Sequence, residues 1–324
     1  MKKILFRNLS LFVFAAICSV FISACNGINK ENPVNTAAQV ATPNVKDESK
    51  GALRKRIEEI AADSQGKVGA AAVVLETGET VGLNENDRFP MQSVYKFPIA
   101  MAVLKQVEQG NLKLEQKIRI EKSDLVPKPL RSPIRDRFPQ GTEMRLDEVL
   151  KYSVSDSDGT ACDVLLKAVG GAAVVAKYLR EIGVQDIVVA TTEKEMSQDE
   201  SVQYQNWASP KAANDLLRLL HEGRVLSEGN RALLLRWMTE TPTGLKRLKG
   251  LLPAGTVVAH KTGTSGTFDG LTRATNDVGL VTLPNGKHLA ISIFVSDSKA
   301  DEKTREEVIA KITRAVWIDF VKGM

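Results

Sequence analysis

The chain has 324 residues, with 44 Lys+Arg against 39 Asp+Glu. Residues 1–24 contain Lys2, Lys3 and Arg7 and no acid, so the remainder carries 41 basic and 39 acidic side chains. That balance excludes the basic face of a nucleic-acid binder, and a composition 43% hydrophobic and 26% charged excludes a disordered, collagenous or coiled-coil chain. Three Cys and three His (221, 260, 288), with no CxxC, HxH or HExxH, leave little for a zinc hydrolase, so no metal and no organic cofactor is expected.

The N-terminus reads as a targeting segment. The basic residues precede an uncharged run, Leu9–Ala24. Its 16 residues, at ~1.5 Å each, fall short of a roughly 30 Å hydrocarbon core, which fits a secretory signal over residues 1–24 better than a permanent span. The run ends Ile22-Ser23-Ala24-Cys25, which resembles the lipobox of bacterial lipoproteins, with Cys25 as the acylated new N-terminus. A simple signal peptide with an incidental Cys is the plainer alternative. Residues 25–50 are polar and lack an apolar period, as in a flexible tether. An exported, periplasmic protein held at a membrane by its lipid alone is the expectation, with a monomeric domain over 51–324. Cys162 is then the lone thiol of that domain, expected to be buried and inert.

Within the domain, Ala52–Asp63 has the spacing of an amphipathic helix, with Leu53, Ile57 and Ile60 on one face. Lys67–Leu75 and Glu79–Leu83 read as a hairpin across Thr77-Gly78. Ser93 opens a run, Phe97–Leu104, that is apolar nearly all round and reads as a buried helix, although Pro98 breaks the local rule. Helical spacing then dominates: Arg145–Val154, Thr160–Val169, Ala172–Ile182, Pro210–His221 and Arg231–Met238. Strand patterns return at Val257–His260, Val278–Leu283 and His288–Val295, the last two joined by Pro284-Asn285-Gly286. A closing helix covers Glu302–Val321. Strands at both ends of a helical middle predict an α/β (α+β) domain in two parts. The sheet layer draws on about 51–85 and 240–324, and a helical subdomain on about 86–239.

Ser-x-x-Lys occurs at Ser64/Lys67, Ser93/Lys96 and Ser296/Lys299, and about one match is expected by chance. Only the second copy opens a buried helix. There both side chains share a face, and a desolvated amine can accept a serine proton. Of four Ser-Asp pairs, only Ser157-Asp158 is followed by Gly, between two helical segments; ordinary helix capping would explain it equally well. Lys261-Thr262-Gly263-Thr264 continues a strand, with Lys261 and Gly263 on one side. Gly263 is expected to let a ligand approach the backbone. His260 is expected to pack beside the site rather than act as an acid or base, and Trp207, Trp237 and Trp317 to be core.

In this order the three motifs resemble those of class A serine β-lactamases and penicillin-binding proteins. The resemblance covers essentially all of 51–324. Gln203-Tyr204-Gln205-Asn206-Trp207 further resembles the extended-spectrum cephalosporinase subgroup. Glu193 lies 36 residues after Ser157, and Lys261 lies 104 after it, as in that family. The resemblance implies a two-subdomain serine β-lactamase/penicillin-binding-like fold, an antiparallel sheet flanked by helices plus an all-helical subdomain. It also implies a β-lactam substrate and these roles. Ser93 is the nucleophile. Lys96 and Glu193 share its activation, and which of them is the acylation base is left open. Ser157 relays a proton, and the backbone N–H groups of Ser93 and Thr264 form an oxyanion hole. Lys261, Thr262, Gly263, Thr264 and Arg247, the last lying 14 residues before Lys261, bind the substrate.

Departures from the family pattern are visible. Gly159 replaces the usual Asn of Ser-Asp-Asn, and Ser197 stands where an Asn helps hold the hydrolytic water. Glu195 rivals Glu193 as the base. Thr191 and Asn206 occupy the places of the arginine–aspartate pair that ties the omega loop, which predicts a looser loop. A D,D-peptidase and a non-hydrolytic β-lactam-binding lipoprotein remain as alternatives at this level.

Overall fold

A computed structural model describes the backbone of residues 45–322 and the side chains from Gly51 onward; the leader, Cys25 and most of the tether lie outside the described residues. Helix α1 (Val45–Ala62) begins inside the stretch read as tether, two turns ahead of the segment whose Leu53 and Ile57 are buried. Strands β1 (Lys67–Val74) and β2 (Glu79–Leu83) form the predicted hairpin. The other long strands are β3 (Val258–Thr264), β4 (Leu271–Thr282) and β5 (His288–Ser298). They form one antiparallel sheet in the order β2-β1-β5-β4-β3, joined by a two-residue strand at Thr267–Phe268.

Both faces of this sheet are covered, so alternate residues feed separate cores. Along β5, Leu289, Ile291, Ile293 and Val295 pack with α1 and the C-terminal helix α8 (Glu302–Lys322), through Leu53, Ile57, Val308 and Ile312. Ala290 and Phe294 face the other way, into the helical subdomain. That subdomain is built by α2 (Lys96–Glu108), α3 (Leu146–Val154), α4 (Gly159–Val169), α5 (Ala172–Glu181), α6 (Pro210–His221) and α7 (Glu228–Thr239). The two-subdomain α+β architecture expected from the sequence is the one observed.

Three differences have physical causes. Strand β4 starts at Leu271, seven residues before the apolar run, because Thr272, Thr275, Asn276 and Asp277 are buried with partners of their own. For example, Arg305 Nε donates to Thr275 Oγ1 at 2.8 Å. A two-stranded pair, Lys117–Glu121 with Gly141–Arg145, was not read from sequence: Ile118 and Ile120 alternate, but the run is only five residues long and its partner is mostly polar and lies 20 residues on. Trp237 is core, but Trp207 and Trp317 are only half-buried, with the guanidinium groups of Arg88 and Arg314 lying over their rings.

Pro98 finds its compensation in helix geometry. It is the third residue of α2, in the first turn, where the N–H groups have no intrahelical partner in any case. A short 3₁₀ turn, Gln92–Tyr95, leads into it and carries Ser93.

Candidate active site

Ser93 sits at the junction of the sheet and the helical subdomain. The preceding Gln92 has φ +46°, a left-handed backbone that the surroundings must hold in place. Asn276 on β4 does so: its Nδ2 donates to Pro90 O at 2.8 Å and to Met91 O at 3.1 Å. Gly263 contributes by absence, since a Cβ there would lie 2.2 Å from Met91 O. The space a side chain would need at Gly263 is therefore taken by the turn that carries Ser93, a second reason for glycine beside the close backbone approach read from the sequence. Farther back, Phe89 lies between Gly69 on β1, where a Cβ would be 2.3 Å from its ring, and Phe294 on β5, with ring centroids 5.8 Å apart.

Lys96 Nζ donates to Ser93 Oγ at 2.6 Å and to the Glu193 carboxylate, and both Lys96 and Glu193 are buried. Burial lowers the Lys96 pKa, but the charge and hydrogen bond of Glu193, with the other acidic groups around it, together outweigh burial and hold the ammonium above its ordinary value. The rivalry between the two glutamates is settled by capping. Glu195 Oε2 accepts from Thr192 N at 2.8 Å, and Glu195 N donates to Thr192 Oγ1 at 3.1 Å, a reciprocal box that turns its carboxylate back on the loop. Glu193 is aimed by Asp163 of α4, whose carboxylate accepts from the N–H groups of Glu193 and Lys194 at 2.7 and 3.1 Å. Burial and the Glu193 charge raise the Asp163 pKa to about 6.

Opposite Lys96, Lys261 Nζ donates to Ser157 Oγ at 2.9 Å. Burial pushes the Lys261 ammonium well below the usual range, and Lys96 lowers it further. Ser157 has φ +58°, while Asp158 takes the capping role through Ala161 N at 2.9 Å. The Ser157 hydroxyl is thus left free of the helix end, which resolves the capping alternative. Arg247 is buried on the far side. Its guanidinium donates to Gly263 O and Asn276 O at 3.1 and 3.0 Å and to Thr264 Oγ1 at 2.8 Å, and its Nε pairs with Glu306 at 3.1 Å. Thr262 Oγ1 lies 2.8 Å from Thr243 Oγ1. Ser93, Ser157, Arg247, Thr262 and Thr264 line one cleft of about 150 Å³, together with Arg131 and Thr243.

The other two Ser-x-x-Lys pairs stay out of the cleft; Lys67, for instance, pairs with Asp87 at 2.9 Å. Cys162 is fully buried with its thiol pKa pushed up by desolvation, which suits an inert packing role. His260 is buried on β3 with Nδ1 2.8 Å from Asp277 Oδ1, and it does not line the cleft. Asp163, Asn276, Thr243 and Arg131 were not found from sequence. Each acts through a fold-specific meeting, and no short motif marks it.

The omega loop is not left untied. Asn206 Oδ1 accepts from Ala190 N and Thr191 N at 2.7 and 3.0 Å, and its Nδ2 donates to Thr191 O at 3.0 Å. A buried neutral clasp takes the place of the missing ion pair, contrary to the expected loosening.

The arrangement can therefore supply a serine nucleophile, a lysine–carboxylate pair beside it and a second hydroxyl held by a buried lysine. The family comparison agrees, with the family model described as the beta-lactamase enzyme family matching residues 52–320. The chain belongs to the β-lactamase enzyme family. It is 44% identical over 267 residues to beta-lactamase VEB-1 of Pseudomonas aeruginosa, covering 82% of this chain and 89% of that one. To the extended-spectrum beta-lactamase PER-1 of the same organism it is 43% identical, covering 82% and 86%. Among solved structures, a beta-lactamase from Chitinophaga pinensis DSM 2588 superposes with TM-score 0.81 at 52% identity, over 82% of this chain and 98% of that one. The TLA-1 extended-spectrum beta-lactamase superposes with TM-score 0.82 at 44% identity, over 84% and 99%.

Proposed function

We propose that this β-lactamase opens cephalosporins and penicillins through an acyl-serine intermediate on Ser93. The observation that carries the reading is Lys96 Nζ bridging Ser93 Oγ and the Glu193 carboxylate in a buried pocket. Ser93 Oγ attacks the lactam carbonyl, and its proton passes to the Lys96–Glu193 pair. The carbonyl oxygen takes the charge facing the N–H groups of Ser93 and Thr264, each such donor being worth about 10²–10³ in rate. The C–N bond breaks as Ser157 delivers a proton to the ring nitrogen, resupplied from the Lys261 side. A water deprotonated by Glu193 then attacks the acyl carbon, releasing the penicilloate-type acid and restoring the serine. Lys261, Thr262, Thr264 and Arg247 offer cationic and hydroxyl partners for the substrate carboxylate.

Gly159 offers no amide to the substrate's acylamino group. Ser197 gives its hydroxyl to Lys194 O at 2.7 Å, so Glu193 orders the hydrolytic water with less help than in relatives carrying Asn there. The proposal extends to location: a monomer exported by its leader and tethered in the periplasm through acylated Cys25. Retention of the chain in the membrane fraction, and its release by Cys25→Ser, tests that part.

The central test is mass spectrometry of the protein mixed with a cephalosporin, alongside loss of the lactam absorbance, for wild type and Glu193→Ala. Rapid turnover by wild type with a lasting Ser93 adduct only in the variant is expected. The variant's rate should be about 10²–10⁴ lower, the usual worth of a general base. A lasting adduct on the wild type would make it a penicillin-binding protein, and no adduct on either would remove Ser93 from the role.

A further inference from the structure

Two histidines that are 67 positions apart in the chain meet at the edge of the sheet, on elements that the lactam chemistry does not use. His221 is the last residue of α6 and His288 the first of β5, while Glu76 follows the end of β1. His288 Nδ1 lies 2.8 Å from Glu76 Oε1, and His221 Nε2 lies 3.9 Å from the same oxygen. The two imidazole centroids are 4.2 Å apart. One ligand atom from each residue falls within 4.8 Å of the others. The backbone holds two of the three in register: His288 N–H donates to Glu76 Oε2 at 2.9 Å, and Leu75 N–H donates to His288 O at 2.9 Å.

We propose that Glu76, His221 and His288 form a binding site for a divalent transition metal of the zinc class. Imidazole nitrogens and a carboxylate oxygen are the donor set such an ion prefers, at about 2.0–2.2 Å from the metal. Binding uses the Nδ1 lone pair of the His288 tautomer that carries its proton on Nε2, and draws His221 Nε2 inward by a small side-chain rotation. Three protein ligands leave a further position for water, and a cavity of about 340 Å³ opens beside both histidines to hold it. The surroundings favour a cation, since the ion would sit at the C-terminal end of the 12-residue α6, the negative end of the helix dipole. Arg231, a cation beside His221, donates through Nη1 to His221 O at 2.7 Å. All three residues are partly exposed, so the ion has a path in. The metal would clamp the end of α6 to the β1–β5 edge and so join the helical subdomain to the sheet. It shares no ligand with the Ser93 cleft.

The test uses the full chain stripped of metal and titrated with Zn²⁺ by calorimetry, with Co²⁺ as a spectroscopic probe, beside His221→Gln and His288→Gln. Expected are one saturable equivalent with micromolar or tighter affinity, weakened at least about tenfold by either variant. A Zn²⁺-dependent rise in melting temperature of a few degrees should appear in wild type and be lost in both variants. Cobalt should give visible d–d bands without a thiolate charge-transfer band. Hydrolysis of a chromogenic cephalosporin should be the same in all three proteins, which separates this site from the lactam reading. No saturable binding, binding that survives both variants, or a cobalt–thiolate band would each overturn the proposal.

Discussion

Asp163 and Gly263 govern the site without being part of its chemistry, and each makes a prediction. Asp163 is a buried carboxylate whose pKa is raised to about 6, chiefly by desolvation and then by Glu193. Its folded value lies above the ordinary carboxylate value, so the folded state binds the proton more tightly than the unfolded chain. The associated stability is complete below about pH 4 and is lost as pH rises through about 6. Asp163→Asn removes this titration. The stability of wild type relative to the variant, from urea unfolding at pH 4.5 and 7, should fall with rising pH by on the order of 1–3 kcal/mol. A difference independent of pH would place the Asp163 titration elsewhere. Gly263→Ala forces a methyl against Met91 O, where 2.2 Å is available, and the neighbour is backbone that cannot swing aside. It should displace the Ser93 turn and lower kcat about 10- to 100-fold, a misplacement of the order of 1 Å being enough for that. Thr262→Ser on the opposite face of β3, read by the same assay, should cost far less. Both residues show the limit of motif reading: Gly263 was visible as part of Lys-Thr-Gly, but its reason, a backbone neighbour from another element, was not.

At the scale of elements, legibility followed the strength of the periodic signal. Helices α3, α4, α5, α6 and α8 each show an apolar stripe, and α6 adds Ser209, whose Oγ accepts from Ala212 N at 3.2 Å, ahead of Pro210. The first half of β4 was missed because most of its buried residues are Thr, Asn and Asp, and Thr275, Asn276 and Asp277 meet partners distant in sequence. The omega loop shows the same limit. Thr191 and Asn206 could be seen to lack an ion pair, but the three hydrogen bonds that replace it depend on backbone groups meeting across the loop's neck. This gives a prediction belonging to the loop as a unit. Asn206→Ala leaves the N–H and C=O of buried Thr191 unpaired, a local cost of about 1–3 kcal/mol for each group left unsatisfied, while the N–H of exposed Ala190 can turn to water. The loop carries Glu193, whereas Ser93 rides on the 3₁₀ turn that leads into α2. Deacylation should therefore slow more than acylation, so the acyl-enzyme accumulates in a stopped-flow trace and hydrogen exchange quickens over residues 190–206. Equal slowing of both steps would mean that the neck and the Ser93 turn move together.

Across the described residues the large sheet serves two cores, and this division links stability to activity. On β5, Ile293 faces α1 and α8 in the outer core, while its neighbour Phe294 faces the helical subdomain. Phe294 stacks on Phe89, which begins the segment running through Pro90 and Met91 to Ser93. Alternation along a single strand thus sends one side chain to a purely structural layer and the next to the support of the nucleophile. The hydrophobic run over 288–295 was legible as a strand, but a run apolar on both faces does not say which face meets the site. Ile293→Ala and Phe294→Ala separate the two. Both open a cavity in a fully buried layer, with expected losses of about 2–5 and 3–5 kcal/mol in chemical unfolding. Their effects on turnover should diverge. Ile293→Ala leaves the Phe89 stack intact and should keep kcat within about twofold at a temperature where it remains folded. Phe294→Ala withdraws the ring that holds Phe89 and lets the Ser93 turn relax, so kcat should fall about tenfold or more under the same conditions. If both variants lost stability and neither lost kcat, the turn would be held by Asn276 and Gly263 alone, and the sheet would act as a scaffold whose inner core is as remote from the chemistry as its outer one.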